Sequence, residues 1–374
     1  MRRSFIRSSW PILTMLGIIL IASIGMWGCS QTDETPVAPQ PEAVGFFSMS
    51  NPQVQSVMAV QNRHTEKLMA DPDVIGTATT LGDDGRPAIM LLVTSRATWA
   101  DAPKTIDGIA VKAVLTDRIV AMKGKPGGGG GTSHTAKQTP PIQLGTSGGW
   151  RYDLANGYCC GGTLGSLIQV GGQKRILSNY HVFEADIVNG GNGRRASTGD
   201  PVIQPGLIDV ACNAGNAQDV ATLVVTSSLP GSNVDASSAN IVSGMVDLNG
   251  AILEVGTISS QTVGASIGQK VKKSGRTTGL SRSTVDALNA TVSVSYENEC
   301  AGGTAFTKTF TGQIIIKNRG SKFLAGGDSG SLMVEDVSNN PRAVGLLFAG
   351  SGTLAVANPI DEVLGFFNAS MVGN

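Results

Sequence analysis

Charge is scarce in this sequence of 374 residues, and the charges that are present cancel. Charged residues make up 15% of the chain, whereas soluble domains average roughly a quarter. Lysine plus arginine number 28 and aspartate plus glutamate also number 28, so the formal net charge is zero. Nucleic-acid binding needs a concentrated basic surface, and this balance therefore argues against nucleic acid as a main partner.

Histidine is also rare, and the cysteines lack a metal-binding spacing. The chain has three histidines and five cysteines, with no pair of cysteines separated by two residues. A zinc site needs about four such ligands close together, so the sequence predicts no metal. The run of five glycines, Gly127 to Gly131, is not followed by the Lys-Ser/Thr pair of a phosphate-binding loop, and it is better explained as a linker.

Apolar residues and glycine are abundant, and their distribution predicts a mainly β protein. Apolar residues make up 41% of the chain, enough for a core, and glycine occurs 49 times. From about residue 144 onward, short apolar segments alternate with Gly, Asn, Ser and Asp, as in barrels built from short strands. The predicted strands are Gly162–Val170, Val220–Thr226, Ile252–Ile258, Thr291–Tyr296, Gln313–Lys317, Leu332–Glu335 and Ala343–Ala349. Asn358-Pro359 should then start a C-terminal helix that ends near Asn368.

The N-terminus is typical of an export signal. Three arginines precede an apolar run from Trp10 to Trp27, which Gly28-Cys29 follows. We expect a signal peptide over residues 1–28, lipidation of Cys29 and a polar tether over residues 29–49, which resembles a bacterial lipoprotein. The alternative is an uncleaved membrane helix, because the apolar run is just long enough to cross a bilayer. Either way, the chain is expected outside the cytoplasm, membrane-anchored or else secreted.

Three further regions follow the tether. Residues 50–123 are expected to form a small α+β module resembling a pro-domain, residues 124–144 a Gly/Pro-rich linker, and residues 145–374 the main domain. Within the module we expect a helix from Asn51-Pro52 to Asp71-Pro72, a hairpin of Val74–Leu81 with Pro87–Val93, and a strand over Gly108–Leu115.

Four cysteines remain if Cys29 carries a lipid, an even number in an oxidising compartment. Adjacent Cys159 and Cys160 are poorly placed to bond each other, so bridges to Cys212 and Cys300 are expected. Buried free thiols are the alternative.

Gly327-Asp328-Ser329-Gly330 is the sharpest local motif, because its flanking glycines allow a tight turn that exposes a nucleophile. The backbone N–H groups of Gly327 and Ser329 could form an oxyanion hole. His181 is the only histidine beyond the linker and is the expected base. Asp235 is the expected partner of His181, with Asp209, Asp219 and Asp200 as alternatives.

Several segments, taken together, resemble bacterial trypsin-like peptidases, and most closely the bacterial relatives of the plant narrow-leaf-type trypsin-like proteins. The resemblance covers roughly residues 145–374, and the module before it is similar to one found ahead of such domains. It is carried by Gly162-Thr163-Leu164-Gly165, Leu177-Ser178-Asn179-Tyr180-His181-Val182, Asp200-Pro201-Val202-Ile203-Gln204-Pro205-Gly206, Val234-Asp235-Ala236, Lys273-Ser274-Gly275-Arg276-Thr277-Thr278-Gly279 and Gly326-Gly327-Asp328-Ser329-Gly330-Ser331. The resemblance implies a chymotrypsin-like pair of six-stranded antiparallel barrels, with the catalytic triad in the cleft between them.

Two departures from animal trypsins are informative. The domain lacks the processed N-terminus that would pair with the Asp before the nucleophile, and the segment around Arg276 resembles that of α-lytic-type proteases. An ion pair of Arg276 with Asp328 is therefore expected, the alternative being an exposed Arg276 on a hairpin. The position six residues before Ser329, acidic in trypsins, is Phe323.

Phe323 predicts a specificity pocket for apolar or small side chains, and not the tryptic preference for Lys or Arg. The resemblance adds Phe348, Ala349 and Gly350 as the pocket wall, whose main chain would bind an extended substrate as an added strand. The expected function is an extracytoplasmic serine endopeptidase that acts on proteins or peptides without a cofactor. A surface binding protein with little turnover and an esterase that uses the same triad are the alternatives.

Overall fold

The computed structural model describes residues 47–122, 132–155, 158–184, 194–296, 306–320 and 322–374. The expected signal peptide, nearly all of the tether, Cys29, Cys300 and the run Gly127 to Gly131 lie outside these residues. Within them, no helix is both long and apolar enough to cross a membrane.

The described residues are mainly β. The helices are α1 (Pro52–Leu68), α2 (Arg96–Asp101), α3 (Thr132–Thr135), α4 (Tyr180–Phe183) and α5 (Ile360–Phe367). The strands are β1 (Phe47–Ser48), β2 (Val74–Leu81), β3 (Pro87–Val93), β4 (Thr105–Ile106), β5 (Ile109–Leu115), β6 (Ile119–Ala121), β7 (Thr146–Trp150), β8 (Leu154–Ala155), β9 (Tyr158–Cys159), β10 (Gly162–Leu164), β11 (Ser166–Val170), β12 (Gln173–Ser178), β13 (Pro201–Gln204), β14 (Gln218–Val224), β15 (Ser237–Ile241), β16 (Ala251–Ile252), β17 (Gly256–Thr257), β18 (Ser266–Ile267), β19 (Lys270–Lys273), β20 (Ser281–Tyr296), β21 (Phe306–Lys317), β22 (Leu332–Glu335), β23 (Ala343–Gly350), β24 (Leu354–Pro359) and β25 (Ala369–Met371).

The first barrel is closed by one bent strand. Its antiparallel order is β7-β13-β14-β15-β12-β11, and β10 pairs back with β7. β10 and β11 are separated only by Gly165, where a Cβ would lie 2.0 Å from the Gly330 carbonyl oxygen, so only glycine fits. Six chain segments therefore close the sheet on itself, around a core that includes Trp150 and Phe183. Helix α5 adds Val363 and Phe367 to the same core.

The second barrel has the order β19-β22-β23-β24-β21-β20, and β20 returns to pair with β19. All six pairings are antiparallel, and the interior is filled by two clusters of buried apolar side chains. Together the two barrels and the C-terminal helix are the chymotrypsin-like double barrel, so the expected fold class is confirmed.

Strand β20 is much longer than the segment expected from sequence, because it serves two sheets. Its first residues pair with β19, and Ala287–Val292 pair with β2, which continues into β3, β5 and β4. Buried Gln61 on α1 fixes this junction, since its Nε2 donates to the Asn289 carbonyl (2.9 Å) and its Oε1 accepts from Thr79 (2.8 Å). The N-terminal elements therefore share one continuous sheet with the second barrel.

The described part of the expected linker is packed in places. His134 on α3 is buried, with Nε2 2.7 Å from Glu254 Oε2 and Nδ1 3.2 Å from the Gly145 carbonyl oxygen. A buried imidazole needs such partners, and these two contacts tie α3 to the main domain. The boundaries at residues 124 and 145 stay predictions.

Candidate active site

His181 and Asp235 meet on adjacent elements of the first barrel. β12 ends at Ser178, and the chain then turns into α4, which carries His181. His181 Nδ1 lies 2.6 Å from Asp235 Oδ2, and the His181 backbone N–H donates to Oδ1 (3.3 Å). Asn179 and Asn358 hold the Asp235 backbone through its carbonyl (2.7 Å) and its N–H (2.9 Å). The backbone of Asp235 is therefore held on both sides, and its carboxylate faces His181.

Tyr296 is a third member of this group that sequence reasoning missed. Its hydroxyl donates to Asp235 Oδ2 (2.8 Å), and its ring meets the His181 ring edge-on, with centroids 6.0 Å apart. Burial, and secondly the neighbouring Asp235 carboxylate, raise the pKa of Tyr296 well above its usual value of 10.0. The phenol therefore stays protonated as a donor. The sequence contained a signal for this role, because Tyr296 alternates along β20 with the buried Val292 and Val294 and therefore faces the core. A tyrosine that faces the core needs an acceptor for its hydroxyl.

The remaining nitrogen of His181 is free to act as a base. Because Asp235 accepts at Nδ1, that nitrogen carries the proton and Nε2 presents a lone pair. Nε2 is buried and has no hydrogen-bond partner among the described residues. An unsatisfied buried acceptor is costly, and such groups are retained mainly where function requires them.

Ser329 lies in a tight turn before β22. Gly327 and Gly330 adopt φ of +99° and +92°, in the left-handed region that favours glycine. The Ser329 hydroxyl donates to the Phe348 carbonyl (3.1 Å), so it is not turned toward His181 in this state.

The first barrel positions the Ser329 turn. The Thr163 backbone N–H donates to the Ser329 carbonyl (2.8 Å), and the Thr163 hydroxyl donates to the Gly327 carbonyl (2.9 Å). Ser178 in turn donates to the Thr163 carbonyl (2.8 Å), and it lies three residues before His181. A Cβ on Gly330 would lie 2.2 Å from Ser178 Oγ, so this approach depends on glycine. One hydrogen-bond chain therefore locates both the base and the nucleophile.

The expected ion pair of Arg276 with Asp328 is wrong. Lys273 Nζ lies 3.0 Å from Asp328 Oδ1, and neither side chain is exposed. Arg276 instead reaches across to the first barrel and bonds Asp209 through Nε (2.9 Å) and Nη2. The turn from Gly275 to Gly279 explains the difference, because it directs backbone N–H groups toward Asp328 and the Arg276 side chain away from it.

Asp328 is nevertheless well satisfied. Oδ1 accepts from the N–H groups of Thr277 (2.9 Å) and Thr278 (3.1 Å), and Oδ2 accepts from the Thr278 hydroxyl (2.8 Å) and the Ala325 N–H (2.9 Å). Burial lowers the pKa of Lys273 below its usual value, and the Asp328 charge opposes that change. The Ser329 turn is therefore anchored by a buried ion pair.

The three alternative partners for His181 lie elsewhere. Asp209 bonds Arg276, Asp219 pairs with Arg151, and Asp200 accepts from Trp150 Nε1 (3.0 Å). Among these aspartates, Asp235 alone contacts the histidine.

The expected pocket residues divide into two groups. Phe323 and Phe348 are fully buried within the two core clusters of the second barrel. Ala349 and Gly350 lie on β23, whose main chain pairs with β6. The expected oxyanion donor Gly327 N–H is directed at a carbonyl oxygen of the chain itself, that of Met122, at 2.7 Å.

The cysteines of the first barrel are oxidised. Cys159 is bonded to Cys212, and Cys160 is disulfide-bonded as well. The remaining two, Cys29 and Cys300, lie outside the described residues. Within the part of the chain that the structure describes, no cluster of three or more His, Cys, Asp or Glu side chains could hold a metal ion.

Comparisons with known proteins give one matching family model and several similar solved structures. The family model for the Nal1 C-terminal domain matches residues 231–358, a range that contains Asp235 and Ser329 but not His181. Among solved structures, the chain is similar to protease A of Thermobifida fusca at 22% identity, covering 62% of this chain and 99% of that one with a TM-score of 0.40. It is also similar to a chymotrypsin of Cellulomonas bogoriensis at 19% identity, covering 62% and 99% with a TM-score of 0.39. No curated protein matches the chain.

Proposed function

We propose that this protein is a serine endopeptidase that cleaves peptide bonds through Ser329, His181 and Asp235. The observation that carries the proposal is the fixed His181–Asp235 pair, at 2.6 Å, whose free Nε2 faces no other partner among the described residues. The turn bearing Ser329 is docked on the same strand ends, and it provides a candidate oxyanion donor at Gly327.

The chemistry follows from these contacts. The Ser329 hydroxyl turns from the Phe348 carbonyl to His181 Nε2, gives up its proton and attacks the substrate carbonyl. Asp235 and Tyr296 hold the imidazole and stabilise its charged form. His181 then protonates the leaving amine, and water hydrolyses the acyl-enzyme. The N–H groups of Gly327 and Ser329 stabilise the oxyanion.

Substrate binding is proposed along β23. Its main chain at Ala349 and Gly350 can pair with an extended peptide, which supplies backbone hydrogen bonds without a sequence requirement. Phe323, at the position that is acidic in trypsins, favours an apolar side chain before the cleaved bond over Lys or Arg.

The test is covalent labelling of Ser329 with a fluorophosphonate probe. Labelling should fall by about a thousandfold or more in Ser329→Ala and His181→Ala. His64→Ala is the matched control, because His64 also pairs with an aspartate (Asp107, 2.9 Å) but at the surface of the N-terminal elements. It should label normally.

The remaining outcomes discriminate among the alternatives. Cleavage of peptides by the labelled protein supports the endopeptidase, whereas turnover of small esters alone supports an esterase. A folded chain in which no variant labels or cleaves would favour a surface binding protein.

We also propose that the protein is exported and anchored through a lipid on Cys29, from the apolar run and the Gly28-Cys29 pair that follows it. Growth with a radioactive fatty acid should label the wild type, whereas Cys29→Ala should lose the label. Retention of the label in Cys29→Ala would contradict the lipid anchor.

A further inference from the structure

A segment of the chain itself lies along the cleft edge where a peptide substrate would bind. β6 pairs antiparallel with β23, with Val120 opposite Gly350 and Ala121 opposite Ala349. The next residue continues the pairing, because the Met122 N–H donates to the Phe348 carbonyl (3.0 Å). The substrate-binding edge of the second barrel is therefore already occupied.

The carbonyl of Met122 is directed into the proposed oxyanion hole. The Gly327 N–H donates to the Met122 oxygen at 2.7 Å. Phe348 O accepts both the Met122 N–H and the Ser329 hydroxyl, so the nucleophile and the Met122 backbone meet at one atom. Met122 is thus bound through both its donor and its acceptor beside Ser329.

The Met122 side chain fills an apolar pocket. It packs against the cluster that contains Phe323 and Leu324. A Cβ on Gly350 would lie 3.2 Å from Met122 Cε and 3.1 Å from Leu324 Cδ2, so the absence of a side chain at Gly350 makes room for the methionine. The pocket fits a long, flexible, apolar side chain.

The segment is also held on its other side. Ile119 and Val120 pair in parallel with Val294 and Ser295 of β20, directly before Tyr296. The side chain of Ile119 is buried among the apolar residues of the second barrel. β6 therefore pairs with two strands of the second barrel, β20 and β23, and is held on both of its sides.

We infer that the chain is its own substrate, and that Ser329 cleaves the peptide bond on the carboxyl side of Met122; this inference rests on the proposed function. Ser329 Oγ forms a bond to the Met122 carbonyl carbon as His181 takes its proton. The carbon–nitrogen bond to the next residue breaks, and its amine receives that proton. Water then releases Met122 as a carboxylate and restores Ser329.

Two consequences follow. Until the β6 segment leaves, it excludes other substrates from β23 and from the Gly327 N–H, so the uncut chain is inactive toward them. The pocket that holds Met122 then defines the preference for other substrates, which is an unbranched apolar side chain before the cleaved bond.

The experiment follows the intact mass and the new N-terminus of the purified protein over time, with fluorophosphonate labelling of each species. The wild type should break after Met122, and the probe should label the piece that begins at residue 123 and not the uncut chain. Ser329→Ala should remain intact.

Met122→Pro tests the contact directly, because proline has no N–H to donate to Phe348 and removes the side chain from the pocket. Cleavage should be slower by about a hundredfold or more, while the uncut variant should become open to the probe. The matched control is Met49→Pro, since Met49 is exposed and is the second residue of the turn closed by the Asn51 N–H and the Ser48 carbonyl, where proline is favoured. It should be processed normally.

Failure of this inference and failure of the proposed function give different results. Labelling of Ser329 in an uncut wild-type chain, or a break at another bond, would overturn the self-cleavage and leave the peptidase standing. If the wild type is not cleaved and folded Met122→Pro is not labelled, both the self-cleavage and the proposed function are overturned.

Discussion

The two halves of the candidate site differ in what satisfies their hydrogen bonds. In the histidine half, His181 and Tyr296 both hydrogen-bond the Asp235 carboxylate. In the serine half, the Ser329 hydroxyl donates to the Phe348 carbonyl on β23, and the Gly327 N–H donates to the Met122 carbonyl directly after β6. The polar groups around Asp235 thus satisfy one another, whereas the Gly327 N–H is satisfied by the Met122 carbonyl from a distant part of the chain.

The buried carboxylates of the two halves show the same contrast. Asp235 accepts from an imidazole, a phenol and a backbone N–H, whereas Asp328 faces the Lys273 ammonium. A carboxylate that must stabilise a charge developing on His181 gains from neutral donors, because a permanent cation would compete for it. Asp328 has only to hold the Ser329 turn, so a permanent ion pair suits it.

The largest expected loss of stability comes from a substitution in the serine half. Lys273→Met leaves Asp328 as a buried carboxylate without its cation and should lower the free energy of unfolding by about 3–5 kcal/mol. We expect a value near the lower end of this range, because four other hydrogen-bond donors to Asp328 remain in the variant. Denaturant unfolding measures the change.

Lys272→Met is the matched control for that variant. Lys272 is the neighbour on β19, and its Nζ donates to the Val337 carbonyl (2.7 Å), so its loss should cost about 1 kcal/mol or less. Equal losses in the two variants would show that the Lys273–Asp328 pair has no special role in the serine half.

Local sequence patterns were sufficient to predict the His181–Asp235 contact and the tight turn at Ser329, because each lies in a segment whose turn or strand end is visible in the neighbouring residues. The catalytic roles of these residues stay predictions. The barrels were also predictable from short apolar segments. The partner of Asp328 was not, because Lys273 and Arg276 are three residues apart and only the geometry of the intervening turn decides which one faces it.

Contacts between distant parts of the chain were beyond sequence reasoning. Nothing near Met122 indicates that its carbonyl meets Gly327, and nothing near Gln61 indicates its bond to Asn289. The length of β20 was missed for the same reason, since its partners β2, β6 and β19 come from widely separated segments.

A smaller effect is expected in the histidine half. Tyr296→Phe removes one donor from Asp235 and should lower kcat/KM by about tenfold to a hundredfold, which corresponds to about 1.5–3 kcal/mol for a hydrogen bond to a charged group. Because the pKa of Tyr296 is raised, its phenol is protonated in the wild type, and the loss should be constant between about pH 6 and pH 9. Steady-state rates across that range, on a substrate found by the labelling test, provide the measurement.

Tyr158→Phe is the control for the tyrosine, because Tyr158 is 54% exposed and lies on β9, which pairs with β8. It should retain full activity. A Tyr296→Phe variant with unchanged kcat/KM would mean that Asp235 and the Asn179 and Asn358 contacts suffice to hold His181.

The smallest effect provides a baseline outside both halves. The Glu335 carboxylate accepts three hydrogen bonds from Arg342, from Nε (2.8 Å), Nη2 (2.7 Å) and the backbone N–H (3.1 Å). The Arg342 side chain is 43% exposed, so the ion pair should contribute about 1 kcal/mol or less. Hydrogen bonds from Arg342 hold the pKa of Glu335 below its usual 4.5. A carboxyl group whose pKa is lowered by folding stabilises the fold above its unfolded-state pKa and loses that contribution as the pH falls through its folded-state pKa.

Glu335→Gln should therefore lower Tm by at most about 2 °C at pH 7, and the difference from the wild type should vanish in acid below the folded-state pKa of Glu335. Glu66→Gln, at an exposed position of α1, is the control and should leave Tm at pH 7 nearly unchanged. Thermal unfolding across the acid range measures both variants. If Glu335→Gln costs as much as Lys273→Met, burial does not distinguish the serine half from the surface, and the contrast between the two kinds of ion pair fails.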